Sequence, residues 1–130
     1  MFGPFQQSQL RIEVPASADR IARVLLQTDC LRQWLFPQVL VGELPLELFP
    51  GLRFTSWAGP IPVDHLVEAV DVNRVCFLLS RAVDGVHEWH WGEGWVQSRL
   101  EGVSLIPLDV GHRLTLIRLK TYLTLSGPCN

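Results

Sequence analysis

Hydrophobic and polar residues alternate along most of this chain, which is the period-two pattern of β-strands. The first alternating stretch runs from Ser8 to Val14, with Leu10 and Ile12 on the same face as Val14, and Pro15 ends it. Further strand-like stretches are predicted at residues 39–44, 52–57, 63–70, 74–83, 86–107 and 112–125. The pattern therefore predicts about seven strands, and the short turns between them favour an antiparallel meander.

The segment after the first strand follows helical spacing instead. Ser17 is a suitable N-cap, and Asp19 places a carboxylate in the first turn, where it complements the helix dipole. Apolar residues then recur every three or four positions, which predicts an amphipathic helix at 18–28. A second short helix is predicted at 30–35, ended by Pro37. The fold class is therefore α+β: a curved antiparallel sheet of about seven strands, with two short helices inserted after the first.

The segment 86–107 is the centre of the predicted sheet. It contains three of the five tryptophans and two of the four histidines. Asp84-Gly85, just before it, is a strong hairpin signal because this pair suits a tight turn. We interpret the segment either as one long bent strand or as two strands joined at residues 92–94, where the glycines would suit a bulge.

Composition narrows the classes of function. The length predicts a single domain over residues 1–130, with a loose arm at 1–7 and a short tail at 123–130. With 11 basic and 13 acidic residues the net charge is −2, so we expect no nucleic-acid partner. The N-terminal residues do not resemble a signal peptide, and no apolar run reaches the length of about 18 residues typical of a membrane span. We therefore expect a cytoplasmic protein.

The cysteines predict no cofactor and no metal site. Cys30, Cys76 and Cys129 are odd in number, and their spacing does not match a zinc site. We expect reduced thiols, with Cys76 buried in an apolar strand and Cys129 as the one thiol exposed enough to react.

Several segments follow the element order of a known superfamily. They are residues 11–26 (RIEVPASADRIARVLL), Trp34, Gly51 before a strand, the turn and strand at 71–77, and residues 111–115. Together they resemble the START/polyketide-cyclase-like superfamily (SRPBCC, the helix-grip fold) over residues 8–122. The resemblance implies a curved sheet that grips a long C-terminal helix above an apolar cavity. It implies no catalytic residues, because the superfamily has no invariant catalytic signature.

The long C-terminal helix of that superfamily is predicted to be missing here. Only eight residues follow Tyr122, and they include Gly127-Pro128, whereas a helix across such a sheet needs about 15–20 residues. The uncovered sheet face would then need another cover. A homodimer is the expectation, with the N-terminal arm or a partner protein as alternatives.

The aromatic residues are the candidate ligand site, although they could instead fill a core or an interface. The predicted cavity residues are Trp34, Trp57, His65, Phe77, Trp89, Trp91 and Trp95. Arg81, Glu88, His90 and Gln97 could add polar groups.

Glu88, His90 and Arg81 are the catalytic candidates. A carboxylate beside apolar rings would have a raised pKa and could act as an acid or base, but Glu88 could equally be a solvent-facing side chain at a bend. His87 and His90 are three residues apart, which on a strand places them on opposite faces, so a metal pair is not predicted.

Three functions follow. The first is the binding of a hydrophobic small molecule or lipid in an aromatic-lined cavity. The alternatives are a cyclase- or hydratase-type enzyme, and an interaction module that uses the uncovered sheet face.

Overall fold

The structure, a computed structural model, describes residues 2–129 and contains one seven-stranded antiparallel sheet and three helices. The elements in chain order are β1 (Phe5–Glu13), α1 (Ala18–Leu26), α2 (Thr28–Leu35), β2 (Val39–Val41), β3 (Arg53–Ala58), β4 (Ile61–Asp71), β5 (Arg74–Arg81), β6 (Asp84–Gly92), β7 (Trp95–Val103) and α3 (Leu108–Leu125). The strand order in the sheet is β1-β7-β6-β5-β4-β3-β2. The predicted α+β class, the antiparallel sheet and the two helices after the first strand are confirmed. The predicted meander holds only from β2 to β7, because β1 pairs with β7 and not with β2.

The C-terminal segment is the main correction. Residues 112–125 were predicted as a strand and the gripped helix as missing, and both predictions are wrong because α3 is an 18-residue helix. Its buried residues include His112, Leu116, Leu119 and Leu123, which recur at helical spacing. α3 covers the sheet face that was predicted to lie bare, so a homodimer or partner is not needed there.

α3 is held at both ends by side chains from the first 20 residues. The Gln6 amide oxygen accepts a hydrogen bond from the Leu108 backbone N–H at 2.8 Å, which satisfies a free donor at the start of the helix. At the other end, the Arg20 guanidinium donates to the carbonyl oxygens of Leu123 and Ser126. β1 begins at Phe5, so the arm predicted at 1–7 is ordered strand from that residue on. Residues 1 and 130, the outer ends of the predicted arm and tail, lie outside the described residues.

Two of the three cysteines are joined. Cys30 in α2 and Cys129 after α3 form a disulfide across a sequence separation of 99 residues. The expectations that all thiols are reduced and that Cys129 is reactive are therefore wrong. Disulfides persist mainly in oxidising compartments. The cysteines therefore no longer support the expected cytoplasmic location. Cys76 is the free cysteine and is buried as predicted; burial, and then its hydrogen bond to Glu68, raises the pKa of its thiol to about 11.

The central segment is two strands, which is the second of the two interpretations. β6 and β7 pair from Gly92↔Trp95 to Asp84↔Val103. The preceding turn is at Ala82 and Val83 rather than at Asp84-Gly85, which already pairs within the ladder. The register shift of the sheet lies in β4 between Val67 and Ala69, not at residues 92–94.

The sheet has an inner face, covered by the helices, and an outer face. Alternate residues of β6 and β7 point inward: Trp89 and Trp91 from one strand, Val96 and Ser98 from the other, and all four are buried. Together with α1, α2 and α3 these positions form the hydrophobic core. Within the described residues, no helix is long and apolar enough to cross a membrane.

Candidate ligand cavity

A cavity of about 290 Å³ lies between the inner face of the sheet and helices α2 and α3. Its walls are mainly apolar. Trp34 and Leu31 come from α2, and Leu114 comes from α3. Arg118 of α3 is the one charged side chain of the lining, and it forms no ion pair with the described residues. Within the part of the chain that the structure describes, no aspartate or glutamate lines the cavity.

Four of the seven predicted cavity residues line this space: Trp34, His65, Phe77 and Trp89. The rings of Trp34 and Trp89 meet edge to face, with centroids 6.1 Å apart, and those of His65 and Phe77 do so at 5.7 Å. Such aromatic pairs are preferred geometries for ring packing. Aromatic rings from α2, β4, β5 and β6 therefore line the cavity, and we call these four residues its aromatic wall.

The other three predicted residues lie elsewhere. Trp57 and Trp95 point to the outer face, where Arg81 lies over the Trp57 ring at 5.7 Å and Arg11 over the Trp95 ring at 4.5 Å. The reason is strand parity, because Ser56 and Val96 take the inner positions and their neighbours must point outward. Trp91 is on the inner face but is sealed in the core at 1% exposure, and the cavity does not reach it.

The catalytic candidates also lie on the outer face. Glu88 forms ion pairs with Arg74 at 2.7 Å and with Arg99 at 3.5 Å, and it also contacts His90, whose Nε2 lies 3.2 Å from the carboxylate. Burial alone would raise the pKa of Glu88, but hydrogen bonds from Arg74 and His90 outweigh it and leave that pKa below its usual range. The predicted raised pKa is therefore wrong. The apolar rings of β6 face the opposite side of the sheet, so they do not surround this carboxylate.

Arg81 and Gln97 are likewise outside the cavity. Arg81 pairs with Asp64 at 3.6 Å on the outer face. Gln97 follows the inward-facing Val96 and is exposed. None of the polar groups predicted with the tryptophans lines the cavity, apart from His65.

His65 is a neutral polar group in the aromatic wall. Its ring stacks on Phe54 with centroids 4.7 Å apart and an interplanar angle of 4°. Its Nδ1 lies 3.2 Å from the Val63 carbonyl oxygen. Burial lowers the pKa of His65 to about 4, although the Val63 carbonyl and Asp64 act in the opposite direction. The ring is therefore uncharged at neutral pH.

His87 and His112 form a second polar group, joined through serine hydroxyls. His87 Nε2 lies 3.0 Å from the Ser98 hydroxyl oxygen. The same oxygen lies 2.9 Å from His112 Nε2, and His112 Nδ1 lies 2.7 Å from the Ser8 hydroxyl oxygen. Burial lowers the pKa of His112 to about 4, and burial together with the neighbouring His112 and His65 lowers the pKa of His87 well below its usual value. Both rings are neutral at pH 7.

Sequence reasoning missed both of these histidines as site residues. His87 shares the parity of Trp89, which was a signal that it faces the same cavity. His112 gave no such signal, because its segment was interpreted as a strand. His87 and His90 do point to opposite faces, as their spacing predicts, and no metal-binding group of three His, Cys, Asp or Glu side chains is found within residues 2–129.

No protein-family model and no curated protein sequence matches this chain. Solved structures do match. DynU16, a protein of the dynemicin biosynthetic locus, has a TM-score of 0.70 at 19% identity, and the match covers 90% of this chain but 46% of DynU16. The chain thus spans about half of that protein's length.

Two further structures match over almost their whole length. The Aha1 dimer from Colwellia psychrerythraea has a TM-score of 0.68 at 15% identity, covering 95% of this chain and 99% of Aha1. Mll3558 from Rhizobium loti has a TM-score of 0.70 at 13% identity, covering 92% and 98%. At these identities the likeness shows the fold alone, which is helix-grip-like, complete with its C-terminal helix.

Proposed function

We propose that this protein binds a compact, largely apolar small molecule in the cavity between the sheet and helices α2 and α3. The cavity volume of about 290 Å³ carries the proposal. Well-packed interiors leave few voids larger than a water molecule, and ligand pockets start at roughly 300 Å³. A mainly apolar wall with a few placed polar groups is typical of small-molecule sites.

The walls favour a ring system over a long acyl chain. Trp34, Phe77 and Trp89 offer ring faces and edges, which pack well against a planar ligand. The volume lies at the lower limit of ligand pockets, which suits a compact ligand better than a long lipid chain. Of the proposed ligand classes, the hydrophobic small molecule is therefore favoured over the lipid.

The two alternatives lose their structural support. A cyclase or hydratase reaction in this cavity could not use Glu88, His90 or Arg81, because all three lie on the outer face of the sheet. An interaction module was expected to use a bare sheet face, and α3 covers that face.

Two threonines of α3 provide a matched test of the cavity. Thr115 lines it, whereas Thr124 is exposed on the same helix. Each donates its hydroxyl to the carbonyl four residues earlier, at 2.9 and 2.7 Å. Replacing either one by Phe therefore removes the same hydrogen bond and adds the same ring, but Thr115→Phe alone places that ring in the cavity.

The measurement is the fluorescence of N-phenyl-1-naphthylamine, a neutral ring compound that brightens in apolar sites. We expect saturable binding to the unmodified protein and to Thr124→Phe, and affinity about tenfold or more weaker for Thr115→Phe, which corresponds to about 1.4 kcal/mol. Thermal melts establish that both variants fold. No saturable binding to the unmodified protein, or equal binding by both variants, would contradict the proposal.

We also propose that a second copy of the chain packs on α3. The side of α3 away from the sheet carries exposed apolar residues, with Val110 at 53% and Ile117 at 60% exposure. An apolar stripe of this kind on a soluble protein often marks an interface. Native mass spectrometry should then show a dimer that becomes a monomer in Ile117→Glu. A monomeric unmodified protein would exclude this assembly.

A further inference from the structure

The position of the proton on His65 follows from its neighbour. Nδ1 lies 3.2 Å from the Val63 carbonyl oxygen, and a carbonyl oxygen can only accept a hydrogen bond. Nδ1 therefore carries the proton and donates it. Because the ring is neutral, Nε2 has no proton and can act only as an acceptor. Stacking on Phe54 fixes the ring plane, so this acceptor has a defined direction.

His65 Nε2 has no partner among the described residues, and the ring to which it belongs lines the cavity. Among buried side-chain nitrogen and oxygen atoms of residues 2–129, Trp91 Nε1 is the one without a partner. His65 Nε2 is not one of these fully buried atoms, so it is accessible to solvent or to a ligand. His65 itself lines the cavity. A ligand that displaces water without offering a donor would leave this acceptor unsatisfied, which costs binding free energy.

His87, unlike His65, does not require a hydrogen-bond donor from the ligand. The Ser98 hydroxyl touches both His87 Nε2 and His112 Nε2, but it has one proton to donate. If Ser98 donates to His87 Nε2, that nitrogen is the acceptor and the proton of the neutral ring is on His87 Nδ1. If Ser98 donates to His112 instead, His87 Nε2 carries the proton and His87 Nδ1 is an acceptor. Nδ1 of His87 has no partner among the described residues, so it can meet either a donor or an acceptor.

We propose that the ligand carries a hydroxyl group that donates a hydrogen bond to His65 Nε2, and that this contact selects hydroxylated ring compounds over compounds of the same shape without a donor. The inference rests on the proposed binding function. It also predicts an uncharged or acidic ligand, because among residues 2–129 the lining holds no carboxylate and its one charged group is Arg118. A cationic amine would find no counterion there.

Three naphthalene compounds distinguish the hydrogen bond to His65 from binding that depends only on filling the cavity. 2-Naphthol offers a donor, 2-methoxynaphthalene offers an acceptor alone at similar size, and naphthalene offers neither. We expect 2-naphthol to bind about tenfold more tightly than the other two, as measured by quenching of the cavity tryptophans. The preference should disappear in His65→Phe, whose ring can still stack on Phe54. It should persist in His90→Phe, the same substitution on the outer face.

The outcomes are distinct. If all three compounds bind the unmodified protein equally, or if His65→Phe keeps the preference, the hydroxyl contact is refuted while the binding function stands. If none of them binds saturably while N-phenyl-1-naphthylamine does, the hydroxyl contact is refuted; if N-phenyl-1-naphthylamine does not bind either, the binding function itself fails. A measurement on the unmodified protein guards against a misfolded variant: the ¹⁵N resonance of His65 Nε2 should move upfield with 2-naphthol and stay in place with 2-methoxynaphthalene. A resonance that does not move with 2-naphthol overturns the proposal.

Discussion

Gly85 and Gly102 lie directly opposite each other where β6 pairs with β7. A Cβ atom on Gly85 would meet the Glu101 carbonyl oxygen at 1.9 Å, and one on Gly102 would meet the Asp84 carbonyl oxygen at 2.5 Å. Both contacts are with backbone atoms, which cannot turn away. The pair therefore lets two strands approach more closely than any side chain would allow, at the end of the ladder nearest α3.

Replacing Gly85 by Ala should destabilise the protein. The added methyl group forces the backbones of β6 and β7 apart, and we expect a loss of about 1–3 kcal/mol in the free energy of unfolding. Gly111→Ala is the matched control, since Gly111 lies within α3 and its Cβ would meet nothing within 4 Å. That change should stabilise by about 0.5–1 kcal/mol, because alanine is the better helix former. Urea unfolding measures the free energy of unfolding of both variants. Equal changes in the two variants would show that the close approach of β6 and β7 is not needed.

At the scale of elements, α3 carries apolar residues outside its buried face as well as on it. Leu116, Leu119 and Leu123 face the sheet and are at most 2% exposed, whereas Ile117 is 60% exposed and Leu114, which lines the cavity, is 46% exposed. In sequence these two sets interleave, and the result looks like the alternation of a strand. The ambiguity is physical, because a segment with apolar residues both on and outside its buried face is compatible with either period.

Two residues that would be equivalent in a strand differ in burial in the helix, so their substitutions should destabilise the protein by different amounts. In a strand, Ile117 and Leu119 would share a face. In α3, Leu119 is fully buried and Ile117 is 60% exposed. Leu119→Ala should therefore cost about 2–5 kcal/mol, and Ile117→Ala about 0.5 kcal/mol or less. Thermal or urea unfolding measures both, and similar losses would contradict the helix. If the proposed dimer forms, the comparison belongs in dilute solution, where Ile117 is exposed.

For the whole molecule, three neutral histidines inside one fold predict acid sensitivity. The pKa values of His65 and His112 are lowered to about 4, and that of His87 is lowered well below its usual value, in each case mainly by burial. In the unfolded chain histidine has a pKa of about 6.5. The unfolded state therefore binds more protons below that pH, so their stabilising contribution is complete above about 6.5 and is lost as the pH falls towards 4.

The free energy of unfolding should fall as the pH is lowered from 7 to 5, which is above the range in which most carboxylates titrate. Each of the three histidines can contribute a slope of up to about 1.4 kcal/mol per pH unit. His65→Phe removes one of them and should reduce the slope by about a third. Urea unfolding at several pH values measures it, and a flat profile in the unmodified protein would mean that the histidines become protonated without unfolding.

The site was only partly predictable, and strand parity explains which part. The sequence indicated that Trp34, His65, Phe77 and Trp89 belong to one cavity, and the structure brings these four together. It also grouped Trp57, Trp95 and Glu88 with them, because aromatic content alone does not indicate which face of the sheet each strand position takes. A shift of one residue reverses the face of a side chain, so a site on a sheet depends on a register that composition does not contain.

The sequence by itself determined the α+β class, the antiparallel pairing of consecutive strands from β2 to β7, the two helices after β1, and the opposite directions of His87 and His90. All of these follow from periods and turns within a few residues of each other. The tertiary structure alone decided that residues 108–125 form a helix, that Cys30 and Cys129 meet across 99 residues, and that three histidines converge at one cavity. In each of these cases the local pattern allows more than one outcome, and the choice depends on a surface supplied by a distant part of the chain. For α3 that surface is the inner face of the sheet, with Gln6 and Arg20 at its two ends.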